Sequence, residues 1–204
     1  MKLRLLAAVM LCACLPAFSQ QNQDVSPLAR QQWEIGPWLG GGTGLGKGSE
    51  FKIVDSGVRI GRVLTNVIGD GTFRGTFEWA SDIIPLFEIS QPEFYNAGPS
   101  KWIYAFSATP VILKWNWVAN KKVTPYFAAE GGLLLSPNSP IPGPNTSNVN
   151  FTPGGAFGMY VHQSQKSAID LSIHVIHISN ASLGVYNPGI NATMQFRIGY
   201  TWFK

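Results

Sequence analysis

From residue 32 to residue 203 the chain alternates apolar and polar side chains with a period of two. That is the pattern of strands that show one face to an apolar phase and the other to a polar one. Eight strands are predicted, over residues 32–44, 50–64, 71–89, 101–119, 123–136, 150–163, 167–180 and 191–203. In the third, Phe73, Gly75, Phe77 and Trp79 alternate with Thr72, Arg74, Thr76 and Glu78. The second sets Val58 and Ile60 against Asp55, Gly57, Arg59 and Gly61. The eighth sets Met194, Phe196, Ile198, Tyr200 and Trp202 against Thr193, Gln195, Arg197 and Thr201. The fourth changes phase: Trp102, Tyr104 and Phe106 form one apolar series, and Val111, Leu113, Trp115 and Trp117 another, one residue out of step. Thr109-Pro110 lies between them. Proline cannot donate to a ladder, so a β-bulge there is expected to restore the sorting.

Connection lengths alternate as well. Asn66–Asp70, Asn120–Lys122 and Gln163–Lys166 are short, whereas Ser90–Ser100, Pro137–Val149 and Ala181–Ile190 are longer and rich in Pro, Gly and Asn. Short periplasmic turns and longer outer loops are the habit of outer-membrane barrels. The predicted fold is all-β, an eight-stranded antiparallel transmembrane β-barrel with both termini periplasmic. Its apolar set faces lipid and its polar set fills the interior. A soluble lipocalin-like barrel or sandwich is the alternative, with the polar set facing water.

Composition favours the membrane. Charged residues are 13% of the chain and aromatics 12%, against about 25% charged in a typical soluble domain. Lys2 and Arg4, the apolar run Leu5–Leu15 and the small-residue site Ala17-Phe18-Ser19 read as an export signal over residues 1–19. The barrel domain then occupies residues 20–204, with residues 20–31 a loose lead-in. The expected location is the outer membrane of a Gram-negative bacterium. Both cysteines, Cys12 and Cys14, lie in the signal, so thiolate and disulfide chemistry are not expected of the mature chain. A net charge of +4 from scattered basic residues gives no nucleic-acid footprint. Self-association is left open.

Candidate chemistry centres on His177-Ile178-Ser179-Asn180. Residues two apart on a strand point the same way, so His177 and Ser179 share the apolar face with Ile169, Leu171, Ile173 and Val175. Asp170, Ser172 and His174 take the other face. An imidazole beside a hydroxyl is the minimum for an activated serine, and on an apolar face it suits a lipid substrate. From the residues alone, a polar pair at a strand end in the interfacial zone is the plainer reading, since this spacing is common. His162 and His174 share inward parity, and no spacing of Cys or carboxylates supports a metal site; interior hydrogen bonding is expected of both. Gly41, Gly46 and Lys47 nearly spell a phosphate-binding loop. Gly48 stands where Ser or Thr is required and a strand follows, so a flexible hairpin loop is expected and no cofactor is implied.

His177-Ile178-Ser179-Asn180-Ala181, followed by Asn187-Pro188-Gly189-Ile190-Asn191, resembles the PagL-like lipid A 3-O-deacylase family. The resemblance implies that the motif lies on the seventh strand of an eight-stranded outer-membrane barrel. It further implies that His177 is the base and Ser179 the nucleophile, acting on the ester-linked acyl chain at the 3-position of lipid A, with lipopolysaccharide and outer-membrane lipids as partners. Asn180 takes the oxyanion-stabilising position; its ideal strand parity points inward, so that role requires the strand to twist or end there, and a turn-starting Asn is the alternative. The family's third catalytic member is acidic, and its position here holds Asn191, whose side-chain carbonyl is expected to orient the imidazole without supplying charge. A non-enzymatic structural or adhesive barrel with a degenerate site is the alternative.

Overall fold

The computed structural model describes residues 26–46, 50–93 and 99–204; the expected signal over residues 1–19 lies outside the described residues. Strands β1 (Trp33–Gly44), β2 (Lys52–Val63), β3 (Gly75–Gln91), β4 (Lys101–Trp117), β5 (Val123–Leu135), β6 (Val149–Phe151), β7 (Gly154–Ser164), β8 (Ser167–Ile178) and β9 (Ile190–Phe203) follow one another along the chain. All pair antiparallel. The sheet closes on itself, because β1 pairs with both β2 and β9, and β4 with both β3 and β5. β6 and β7 lie in turn along the same edge of β5, with Leu133 opposite Phe151 and Glu130 opposite Gly154. They are two halves of one stave, so the barrel has eight staves, as the alternation predicts.

The single predicted strand 150–163 is therefore interrupted, at Thr152-Pro153. Pro153 has no N–H to give the ladder. Its carbonyl instead accepts from His177 N at 2.9 Å, while Thr152 N donates to Gly132 O at 2.8 Å.

The bulge expected in the fourth strand is present. The β4–β5 register shifts between Ala108 and Val111, and Pro110 and Val111 both face outward. A second shift, between Ile84 and Phe87, puts Pro85 and Leu86 together on the outer face.

The start of the third strand is corrected. Residues 71–73 form a 3-10 turn, and β3 begins at Gly75. Paired bonds between Ile68 and Gly75, at 2.9 and 3.0 Å, close this tip. The 64–74 connection is thus longer than expected, and Phe73 stands exposed off the wall.

The outer wall is apolar. Leu39, Ile83, Phe157 and Phe196 are all more than half exposed, the arrangement that lipid rather than water stabilises. The interior is polar only through its middle, which corrects the expectation of a polar filling throughout. Toward the turn end, Leu28 on a short 3-10 turn (Pro27–Ala29) packs with Val63, Ile112, Val118 and Phe203. Part of the expected loose lead-in is thus an apolar plug. Toward the loop end, Phe51, Ile53, Phe87, Ile89, Ile141 and Ile178 form a second plug.

Charges are sealed between the plugs. Lys114 Nζ bonds Glu34 at 3.1 Å and Glu78 at 2.9 Å, and Tyr160 OH donates to Glu34 at 2.6 Å. Arg59 clamps both oxygens of Asp82 at 2.8 and 2.9 Å and reaches Asp170 at 3.3 Å. Arg197 pairs with Asp55 at 2.9 Å. Gly40 makes room for that last pair, since a Cβ there would lie 2.6 Å from Asp55 Oδ1 and 2.7 Å from Arg197 Cγ. Buried ions of this kind hold only while every partner is present. The interior therefore acts as a cross-link between staves.

Candidate active site

His177 and Ser179 sit at the loop end of β8, half-buried on the outward face above Val175, Ile173 and Leu171. Their backbone is pinned from the β6 side. His177 N donates to Pro153 O, Ser179 N donates to Phe151 O at 3.1 Å, and Phe151 N donates to Ser179 O at 2.7 Å. The break at Thr152-Pro153 thus lies directly beside the pair. No hydrogen bond joins the His177 ring to Ser179 Oγ among the described residues. A looser apo geometry is usual for a base and nucleophile that close on substrate.

The other side is shaped by β9. The β8–β9 register pairs Ile178 with Ile190 and Ile176 with Thr193, shifting between them. Asn191 and Ala192 together oppose His177, the two-against-one count of a β-bulge. Ile190 and Thr193 point inward, while Asn191 is exposed on the outer side with His177. The bulge brings the Asn191 main-chain carbonyl to 3.0 Å from His177 Nδ1. Sequence reasoning expected the Asn191 carboxamide to do this. The contacting atom is instead the backbone oxygen, because the bulge turns the main chain toward the ring. A carbonyl only accepts, so Nδ1 carries the proton, and in the neutral ring Nε2 holds the lone pair.

Asn180 is placed differently from its expected role. It is buried at 1% exposure, and its carboxamide is engaged within the 179–189 loop. Nδ2 donates to Tyr186 O at 3.0 Å, and Oδ1 accepts from Ser182 N at 2.9 Å. These bonds hold Ala181 and Ser182 in the left-handed region, at φ +48 and +65, a local strain of the kind found at functional sites. The Asn180 N–H donates to Asn187 Oδ1 at 3.3 Å, so the Asn187 carboxamide lies against the peptide that follows Ser179. Asn187 belongs to the sequence motif, but nothing in strand parity singles out a loop residue. Gly189 closes the turn at φ +59. A Cβ on it would contact His177 Cε1 and Ser179 Cβ at 3.5 Å. The loop is tied to its neighbour through Tyr186 N, which donates to Asn145 O at 3.0 Å.

A second serine–histidine arrangement lies inside the barrel. His174 Nε2 is 3.0 Å from Ser172 Oγ, and its Nδ1 is 3.0 Å from Glu130 Oε1. Glu130 is thereby paired with His174, its neighbour around the interior. This chain has the order of a catalytic triad, but all three residues are buried between the plugs, where an ester on a membrane lipid cannot reach. The interior hydrogen bonding expected of His174 and His162 is found, the latter with Thr124 Oγ1 at 2.9 Å. Asp170 faces inward with Arg59 and Tyr126. Of the near phosphate-binding loop, Gly41 to Gly44 belong to β1, and Lys47 and Gly48 lie outside the described residues.

Below the pair, an open groove of about 430 Å³ runs along the outer wall between Leu39, Leu171, Phe196 and Ile198, over Gly40 and Gly41. Above it, the 179–189 loop holds Leu183, Val185 and Tyr186 exposed, Val185 at 97%.

A closed, plugged barrel with an apolar outer wall and a polar pair set into that wall defines the class: an eight-stranded membrane β-barrel whose site opens to lipid rather than to a lumen. The family model described as Lipid A 3-O-deacylase (PagL) matches residues 70–201. The chain belongs to that family, and it is an outer-membrane β-barrel. No curated protein sequence matches it. The crystal structure of the outer membrane enzyme PagL is similar at 16% identity, over 82% of this chain and 97% of its own, with a TM-score of 0.47. The outer membrane protein OprG from Pseudomonas aeruginosa is similar at 10% identity, over 86% of this chain and 97% of its own, with a TM-score of 0.50. At that identity the OprG likeness concerns the barrel fold alone.

Proposed function

We propose that the protein hydrolyses the ester-linked acyl chain at the 3-position of lipid A, using Ser179 as nucleophile and His177 as base. The observation that carries this reading is the His177 Nδ1 to Asn191 carbonyl bond, on the lipid-facing wall and one outward position from Ser179. It holds the imidazole in the tautomer whose Nε2 can accept a proton.

In the proposed reaction Nε2 takes the Ser179 proton as Oγ attacks the ester carbonyl. The tetrahedral oxyanion collapses, the sugar alkoxide leaves with the proton from His177, and an acyl-enzyme remains. Water, deprotonated by the same nitrogen, then releases the fatty acid. Asn187 is the side-chain donor assigned to the oxyanion: its Oδ1 is anchored by the Asn180 N–H, which leaves its Nδ2 for the site. Asn180 serves this arrangement as the clamp of the loop. The acyl chain follows Val175, Ile173 and Leu171 down the wall toward the groove beside Phe196.

A second reading, a non-enzymatic barrel with a degenerate site, draws on the absence of a carboxylate contact to His177 among the described residues. One experiment separates the two. Lipid A is extracted from a bacterium that lacks such activity and expresses this protein, then weighed by mass spectrometry. Loss of one hydroxyacyl group, abolished by Ser179→Ala and by His177→Ala, supports the hydrolase. An unchanged mass with folded barrel in the outer membrane supports the second reading.

A further inference from the structure

Exposed charge is divided unequally between the two ends of the barrel. At the turn end, Arg30 precedes β1 and Lys204 follows β9; Arg62 and Arg74 flank the 64–74 connection. Lys121 and Lys122 occupy the 118–122 turn, and Lys166 the 165–166 turn. Among the described residues, Asp70 is the one exposed acidic side chain at this end, Glu34 and Glu78 being buried in the interior. At the loop end, among the described residues, Lys52 and Lys101 are set against Glu50, Glu88 and Glu93.

The basic residues are not a patch. The chain crosses the turn end at four stations, the paired termini and three connections, and each carries at least one of them. A protein partner engages one side of a barrel; a ring at every station matches a plane that surrounds it.

The side chains around the ring point to the chemistry of that plane. The Arg62 guanidinium lies 5.2 Å from the centroid of the Trp33 ring, and Trp33 is half exposed on the lipid-facing wall. In the adjoining connection Leu64, Ile68 and Phe73 are exposed between Arg62 and Arg74. Apolar groups at the acyl boundary with cations just beyond are the signature of an interfacial anchor.

We propose that this ring is a binding surface for the anionic phospholipid headgroups of the periplasmic leaflet. Each phosphate meets a guanidinium or ammonium at the level where Trp33 marks the interface. With near-neutral loops at the opposite end, the ring fixes which end of the barrel lies in which leaflet and how deep it sits. This holds Ser179 at the level of the outer-leaflet headgroups. The inference rests on the barrel's place in the membrane and not on the deacylase reading.

The test uses the full barrel in phosphatidylcholine vesicles that carry a minor fraction of acyl-brominated phosphatidylglycerol, or the same fraction of acyl-brominated phosphatidylcholine. Bromine quenches tryptophans it touches, and Trp33 and Trp202 lie close to the ring. Phosphatidylglycerol is expected to quench at least about twofold more strongly at low salt, with the excess lost at high salt. The excess is expected to vanish in the combined variant Arg62→Gln, Lys121→Gln, Lys122→Gln, Lys166→Gln and to persist in Lys52→Gln, Lys101→Gln. Heat-dependent gel mobility checks that each barrel is folded. Equal quenching of wild type by the two lipids overturns the proposal and leaves the ring to an acidic periplasmic partner. An excess that ignores salt, or that follows Lys52 and Lys101, overturns it as well, and the salt series needs no variant to fold.

Discussion

Substitution at Asn191 separates what its main chain does from what its side chain does. His177 Nδ1 meets the residue's carbonyl at 3.0 Å, and any residue at position 191 keeps that carbonyl. Asn191→Ala is therefore expected to stay within about 0.5 kcal/mol of wild type, the usual range for an exposed side chain, which is about twofold in rate. Asn191→Asp adds a charge on the face the bulge already shares with His177. For an imidazolium about 5 Å from a carboxylate, an effective dielectric between about 20 and 80 gives roughly 1–3 kcal/mol. If the whole of that term is felt in the transition state, the rate rises by between about fourfold and a few hundredfold. The pair is only half-buried, so solvent screening places the expected gain near the lower end, at about tenfold. In a serine protease the reverse change costs about ten-thousandfold, but there the carboxylate also sets the tautomer, which a carbonyl does here. The assay is the initial rate of fatty-acid release from purified lipid A in mixed micelles, normalised to folded barrel. If Asn191→Ala is as damaging as His177→Ala, the side chain and not the backbone holds the ring, and the reasoning fails. If Asn191→Asp gains nothing, residue 191 does not face the imidazolium.

Three further outcomes are expected. Ser172→Ala removes one buried hydrogen bond of the interior His174 chain, worth about 1 kcal/mol; it should lower the unfolding midpoint slightly and leave deacylation intact, and a Ser172→Ala variant that is folded but inactive would move the chemistry inside the barrel. Gly189→Ala places a Cβ at φ +59, 3.2 Å from Ile178 O and 3.5 Å from both site side chains. The left-handed strain of about 1–2 kcal/mol should shift the turn and cut kcat about tenfold in a folded barrel, and an unchanged kcat would separate this turn from the site. Lys114→Met leaves Glu34 and Glu78 without their shared cation. A loss of about 3–5 kcal/mol is expected, read as a lower temperature for the heat-dependent gel shift, and no change in that temperature would refute the cross-linking role of the interior ions.

The barrel was legible because one face of every strand meets lipid and the alternation follows directly. The fourth-strand bulge was legible because a proline and a change of phase coincide at Pro110. The break at Pro153 was not, since Asn150, Thr152 and Ala156 all keep inward parity across it and no phase change marks it. The extension of β3 back to Phe73 failed for the opposite reason: an aromatic in the turn continues the pattern by coincidence. The loop-end plug escaped notice because the sorting inverts there: Ile176, Ile178 and Ile190 face inward while the polar His177, Ser179 and Asn191 face outward. For the site, parity placed His177 and Ser179 together on the outer face. It put Asn180 on the inward side, where it is buried and clamps the loop, but it had no hold on Asn187, which no strand carries.

The irregularities of the ladder explain why the site lies where it does. In an unbroken antiparallel pair the carbonyls lie in the plane of the sheet and are taken by the N–H groups of the neighbouring strand. An outward imidazole then finds no main-chain acceptor at a usable angle. Two departures meet around His177: on one side the break at Thr152-Pro153, on the other the bulge at Asn191-Ala192. β8 itself ends one residue later, at Ile178. The bulge gives His177 an acceptor, and the end of the strand frees the chain after Ser179 to wrap back and set Gly189 and Asn187 beside it. A regular ladder could carry the same His-Ile-Ser sequence and provide neither. The plugged, ion-linked interior gives these distortions a stiff wall to sit in. Orientation of the His177 ring is thus a property of the backbone at this position, and in the proposed reaction the side chain at 191 is left to decide how much charge the transition state receives.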